Sequence, residues 1–279
     1  MAEFPTPLNP LLVEALIDDT SVIHGIPLAT ALAAYRRCAD GPHGEVLGAL
    51  TVTASSVEEL RPLADPEGRL PIAIVADQGL LALQEARSTI QDDVWLELSH
   101  VGIALPAGFS PAESTSALLA ELAFTVPTYV DLPRTGFEVA LDVLADDGAE
   151  RVSYACGVSD GGPGEVPNPG ELASLVHACV SRRITFALTH VEHAVHTLDG
   201  TRHRHGLLNV LAATACALSG GSTDDVADLL ATTDLEVVHG VIESVTARRL
   251  RDVFSGVATS DPAALIAELA AIGVLGPEA

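Results

Sequence analysis

The sequence predicts an α/β fold, a (β/α)8 TIM-type barrel with an N-terminal helical extension, and three observations carry that prediction. From Val46 onward, short β-branched apolar runs alternate with helical patterns of 10 to 15 residues, as in parallel strands joined by βαβ crossovers. Seven or eight such units fit into residues 46–279, the number a closed barrel needs. No glycine-rich dinucleotide fingerprint follows the first strand, which weighs against the alternative, an open doubly wound sheet. At 279 residues and 48% apolar, the chain can bury one large core, and no repeat or linker marks a second.

Residues 1–45 read as the helical extension. Leu11, Leu12, Ala15 and Leu16 recur at helical spacing after Pro10, and a second amphipathic run spans Leu28 to Tyr35 before the breaker ADGPHG. Strands follow at 47–52, 71–77, 93–98 (with an extension through HVGIAL), 127–132 and 151–158. Their helices fall at 55–65, 79–90, 111–123, 136–148 and 171–183. The sixth strand opens at Ile184 and leads into LLNVLAATACALS. A helix at 224–231 and a strand at 235–242 make a blurred seventh unit. The eighth is the strand 252–260 followed by a helix that Asp261 and Pro262 start.

Composition excludes several function classes. A net charge of -24 repels phosphate backbones and anionic membranes, so neither nucleic acid nor a membrane is an expected partner. All 14 basic residues are Arg; with no Lys there is no Schiff-base lysine, pyridoxal phosphate anchor or P-loop lysine. Cys38, Cys156, Cys179 and Cys216 show no metal or disulfide spacing. The segment MAEFPTPLNP lacks a basic stretch followed by an apolar run, and no long uncharged apolar run occurs elsewhere, so a soluble cytoplasmic protein is expected.

The chemistry is expected around 184–209, ITFALTHVEHAVHTLDGTRHRHGLLN, a strand, loop and helix start holding five of the ten histidines. Functional groups of a barrel gather at the C-terminal strand ends. Read in order, those ends offer Asp77, Glu97, Asp131, Tyr154, Cys156, Thr189, His190 and His193. The catalytic candidates are His190, His193, Asp131 and Glu97, with His190 or His193 as base. Asp77, Arg134, Thr189, His205 and Asn209 are the candidates for binding substrate. Asp77 reads equally as a helix cap, Glu97 and Asp131 as structurally paired carboxylates, and Arg134 as the partner of Asp131 or an anion clamp. No cofactor is expected. A divalent metal on His190, His193 and His205 with Asp131 or Glu97 is an alternative that matches no established signature. The loop 159–170 reads as an anion cradle or as a plain surface turn. His24, His43, His100, His177 and His239 read as background.

ITFALTHVEHAV, HGLLNVLAATACAL and DVFSGVATSDPAALIAELAAIGVL together resemble, in order and spacing, the second half of a group of uncharacterised actinobacterial TIM-barrel-like proteins. Phe186, Thr189, His193, His205, Gly206, Asn209, Gly256 and Pro262 match. Ala187 stands where the group has lysine, and Val257, Ala258 and Thr259 replace its Ser-Cys-Ser. The fifth strand, SYACGVSDGG, lacks its two basic residues. The resemblance therefore implies a divergent member, retooled or catalytically silent.

These readings converge on a lysine-independent lyase or isomerase acting on a small polar metabolite, with a place in specialised metabolism. A non-catalytic binding barrel and a metal-assisted hydrolase are the alternatives. A homo-oligomer stays open.

Overall fold

The computed structural model describes residues 4–64, 68–105, 109–121, 126–147, 151–156, 166–200 and 202–276. The first elements are α1 (Pro10–Val13), β1 (Ile17–Asp19), α2 (Leu28–Ala39), β2 (Leu47–Thr53), α3 (Val57–Leu60), β3 (Leu70–Val75), α4 (Gly79–Gln91) and β4 (Leu96–Ala104). Next come α5 (Pro111–Glu121), β5 (Thr128–Asp131), α6 (Phe137–Asp147), β6 (Arg151–Ala155), α7 (Pro169–Arg182), β7 (Thr185–Thr189), β8 (Thr197–Asp199) and β9 (Arg202–Arg204). The chain ends with α8 (Leu207–Leu218), α9 (Thr223–Ala231), α10 (Leu235–Ile242), α11 (Ala247–Arg251), β10 (Phe254–Thr259) and α12 (Pro262–Ala271).

Eight strands close a barrel in the order β1, β10, β7, β6, β5, β4, β3, β2, and every pairing is parallel. The expected α/β barrel is thus observed, but two of its strands differ from the sequence reading. Residues 235–242 form α10, because Asp234 caps the backbone N–H groups of Glu236 and Val237 and because Leu235, Val238 and Ile242 bury one helical face. The missing strand is β1, inside the segment assigned to the helical extension. It is a barrel stave, pairing Ile17 with both Val257 and Leu47 and so joining the last strand to the second. The N-terminal segment is tied in further by Phe4 N–H to Ile272 O and Leu8 N–H to Val274 O, at 2.7 and 2.9 Å.

Alternation along the strands sorts side chains by size. Ile72, Ile74, Val130, Val152, Phe186 and Leu188 point outward and are buried under the helices. The inward positions carry Ala49, Ala73, Gly102, Ser153, Ala187 and Ala258, so the interior is not filled by the branched side chains usual in such barrels. The helical layer is capped by local chemistry. Asn168 and Glu171 form a capping box on α7, Ser222 and Asp225 another on α9, and Asp261 caps α12 ahead of Pro262. Nearly all of α8 is buried, packed against α7, α9 and α10. Among the described residues no helix is long and apolar enough to cross a membrane.

Candidate functional site

Because the inward side chains are small, a cavity of about 590 Å³ runs through the barrel. Its lining extends from Leu47, Pro71 and Arg151 at the N-terminal strand ends to Val75, Asp131 and Thr189 at the C-terminal ends. That volume suits a small-molecule ligand.

Asp131, Thr189 and His190 meet at the C-terminal mouth, as the sequence reading expects of them. Asp131 ends β5, and its register partner on β6, Ser153, donates its hydroxyl to the carboxylate in a short hydrogen bond. Burial raises the Asp131 carboxyl above the ordinary range, against the opposing effects of the Ser153 hydroxyl and the nearby His190. His190 follows β7 with φ of 62°, a left-handed conformation uncommon for a residue with a side chain, and lines the cavity. Its ring meets the edge of His24 with centroids 5.1 Å apart.

The other candidates lie elsewhere. Glu97 is the second residue of β4, at the N-terminal end of a strand that continues to Ala104, and it is exposed 3.9 Å from Arg69. Taking residue 98 as the rim, rather than the end of the extension through HVGIAL, is what put Glu97 at the wrong end. Asp77 is exposed and takes the backbone N–H and hydroxyl of Ser55, tying two loops together, while Ser56, at the N-cap of α3, gives its hydroxyl to Thr53 O and makes no side-chain cap. Arg134 pairs with Glu171 at 2.9 Å and does not contact Asp131. His193 faces Glu268 at 3.8 Å and lies outside the large cavity.

His205 is buried, with Nε2 donating to Pro167 O at 2.6 Å and Nδ1 buried without a partner. Burial lowers it to about 4. Asn209 is fully buried and fully used: Oδ1 accepts the His196 N–H at 2.7 Å, and Nδ2 donates to Leu229 O and Thr232 O at 2.8 and 2.7 Å. It is a clamp between the loop before α8 and the end of α9. His193 and His205 share only a crevice of about 10 Å³ with Cys156 and Glu192, room for about one water. Tyr154 and Cys156 are buried, and Tyr154 packs on Phe137 with ring centroids 6.2 Å apart.

The metal alternative is not assembled. Glu97 sits at the far end, and His205 Nε2 is engaged by a backbone carbonyl. Among the described residues no group of three or more His, Cys, Asp or Glu is arranged to hold a metal ion. All four cysteines are free thiols. Of the glycine-rich loop, residues 159–165 lie outside the described residues.

The structure adds lumen residues that the sequence reading passed over. Asp18 of β1 points inward, its Oδ1 accepting the Ala49 N–H at 2.6 Å and its Oδ2 3.6 Å from His100 Nε2. Glycine at 48 makes room for it, since a Cβ there would lie 2.3 Å from Asp18 Oδ1. Burial raises Asp18, while His100, the Ala49 N–H and Arg251 lower it. His100 packs edge-on to Tyr129 with centroids 5.0 Å apart, and a register shift between β3 and β4 just before it sets its face. Outside the lumen, Glu192 accepts the Thr259 hydroxyl at 2.6 Å and holds the loop after β7 against β10. Two signals were available. Period-2 alternation puts Tyr129 on the face of Asp131, and the acid pair Asp18–Asp19 interrupts an apolar run.

Comparison with protein-family models gives no match to this chain, and comparison with curated proteins gives none.

Proposed function

We propose that this barrel is a lysine-independent acid/base enzyme of the lyase or isomerase type, acting on a small polar metabolite through Asp131 and His190. The observation that carries the reading is that a half-buried carboxylate and an imidazole face one cavity at the strand ends, where barrel enzymes do their chemistry. A carboxyl raised by burial is a stronger base than one in water, so Asp131 takes the role the sequence reading gave to histidine. It removes a proton from a carbon beside a carbonyl. The electron pair of the C–H bond moves onto the carbonyl oxygen, to which His190 donates a proton. Return of the proton to the other face, or to a neighbouring carbon, gives an isomerase. Loss of a β-substituent with the electron pair gives a lyase. Thr189 and Ser153 supply hydroxyls at the same mouth, and Ser153 keeps the Asp131 carboxylate pointed inward.

The test is exchange of carbon-bound hydrogen for deuterium in D₂O, followed by NMR across a panel of small oxo and hydroxy acids. Asp131→Asn and His190→Gln are expected to slow exchange by about 10²- to 10⁴-fold, the usual contribution of a general acid or base. In the wild type, kcat/KM is expected to rise with pH as Asp131 ionises, at a pH above the ordinary carboxylate range. Exchange unchanged in both variants overturns the assignment. Ligand uptake with no exchange on any substrate turns the reading into the binding barrel.

A further inference from the structure

The lumen continues below the reacting pair to a floor of different chemistry. Arg151, first residue of β6, and Arg251, just before β10, both line it there. The chain has 14 basic residues against 38 acidic ones, so two guanidiniums in one cavity are the reverse of its overall charge. Arg151 donates to Tyr129 Oη at 3.4 Å, with its guanidinium carbon 5.9 Å from that ring's centroid. Arg251 donates to the carbonyls of Ser255 and Glu14 at 2.5 and 3.2 Å. Among the described residues neither guanidinium forms an ion pair, whereas Arg61, Arg69, Arg134, Arg182 and Arg204 all do. Asp18 and Glu14 attract Arg251 without forming an ion pair with it, and Asp18 is also held by the Ala49 N–H and lies beside His100. Two half-buried guanidiniums facing one cavity beside Tyr129, with the Asp18 charge shared between Arg251 and His100, leave positive charge there for a ligand anion to meet.

We propose that the N-terminal half of the lumen is an anion-binding subsite in which Arg151 and Arg251 take the carboxylate or phosphate of the ligand, with Tyr129 and His100 as further donors. The placement of the ligand's other end rests on the reading of Asp131 and His190 given above; uptake of the anion does not. Arg151 stands two residues below Ser153, the register partner of Asp131, roughly 6 to 7 Å along the strand. A ligand spanning that gap has about three to five bonds between its anionic head and its reacting carbon. The substrate class is therefore a short-chain acid or a small phosphate ester, entering head first.

Titration calorimetry of the full chain with inorganic phosphate and with malonate tests the subsite. Saturable uptake of one of them at one site is expected, and the tighter probe identifies the head group. Arg151→Gln and Arg251→Gln are each expected to weaken it by about tenfold or more, as for loss of a charged hydrogen bond. Arg134→Gln removes the same charge outside the cavity and is expected to leave affinity within about twofold, since exposed charges are screened. Should a glutamine variant fail to fold, Arg151→Lys and Tyr129→Phe provide the comparison, with weakened uptake expected of both. No saturable uptake of either anion, or equal weakening by Arg134→Gln, overturns the subsite. Arginine-dependent uptake without deuterium exchange on any substrate keeps the subsite and removes the acid/base reading. Exchange that needs Asp131 but runs as fast on a neutral amide as on the parent acid removes the subsite and keeps the chemistry.

Discussion

His205 links one side chain to the pH range in which the whole fold survives. Its Nε2 proton is committed to Pro167 O and its Nδ1 is buried without a partner, so a second proton has no acceptor to meet. Folding lowers it from 6.5 to about 4. The unfolded chain then binds the proton first. The stabilisation is present above 6.5 and is lost as pH falls from there towards 4, amounting to up to about 3 kcal/mol. His196, lowered by burial and by His203, acts in the same direction. Asp18, Asp19 and Asp131 are raised, so their contribution is present at low pH and is lost as pH rises through their folded values. The difference between wild type and His205→Gln isolates the histidine. Urea unfolding midpoints are expected to converge as pH falls towards 4, and midpoints that stay parallel across pH 4 to 7 would sink the idea.

At the level of elements, the loop between β7 and α8 is positioned by Asn209, which joins the His196 N–H to the carbonyls closing α9. Asn209→Ala leaves three backbone groups unpaired, two of them buried and one half-buried, and is expected to cost about 3 kcal/mol by chemical denaturation. Glycine at 206 serves the same packing, because a Cβ there would lie 2.3 Å from the Val195 carbonyl carbon. The barrel was legible in the sequence because apolar runs alternating with amphipathic helices leave few topologies. One stave was not. Ile17–Asp19 is three residues long and two-thirds acidic, so it is a strand only because β2 and β10 pair with it from both sides. Residues 235–242 misread for the opposite reason: a short apolar run fits a buried strand as well as a helix, and the cap at Asp234 decides. The site followed suit. Asp131, Thr189 and His190 were readable because they end their strands. Glu97 was misplaced by a boundary error, Asp18 went unseen, and His100 was read as background, because only the closed barrel brings β1 and β4 face to face across the lumen.

The molecule as a whole is a barrel whose bulk lies between strands and helices and whose axis is open. A side chain that closes the axis separates folding from ligand uptake. Ala187 sits on the lumen wall of β7. Ala187→Leu is expected to abolish anion uptake while leaving stability unchanged or raising it by up to about 2 kcal/mol, through apolar surface removed from water. Calorimetry and thermal unfolding on the same sample check both halves. Hydrostatic compression reads the same emptiness in another way. Unfolding abolishes internal voids, and the negative volume change it produces scales with the space eliminated. The wild-type protein should therefore give way at lower pressure than the Ala187→Leu variant, and a molecule lodged in the axis should make the native form resist compression in proportion to the space it occupies.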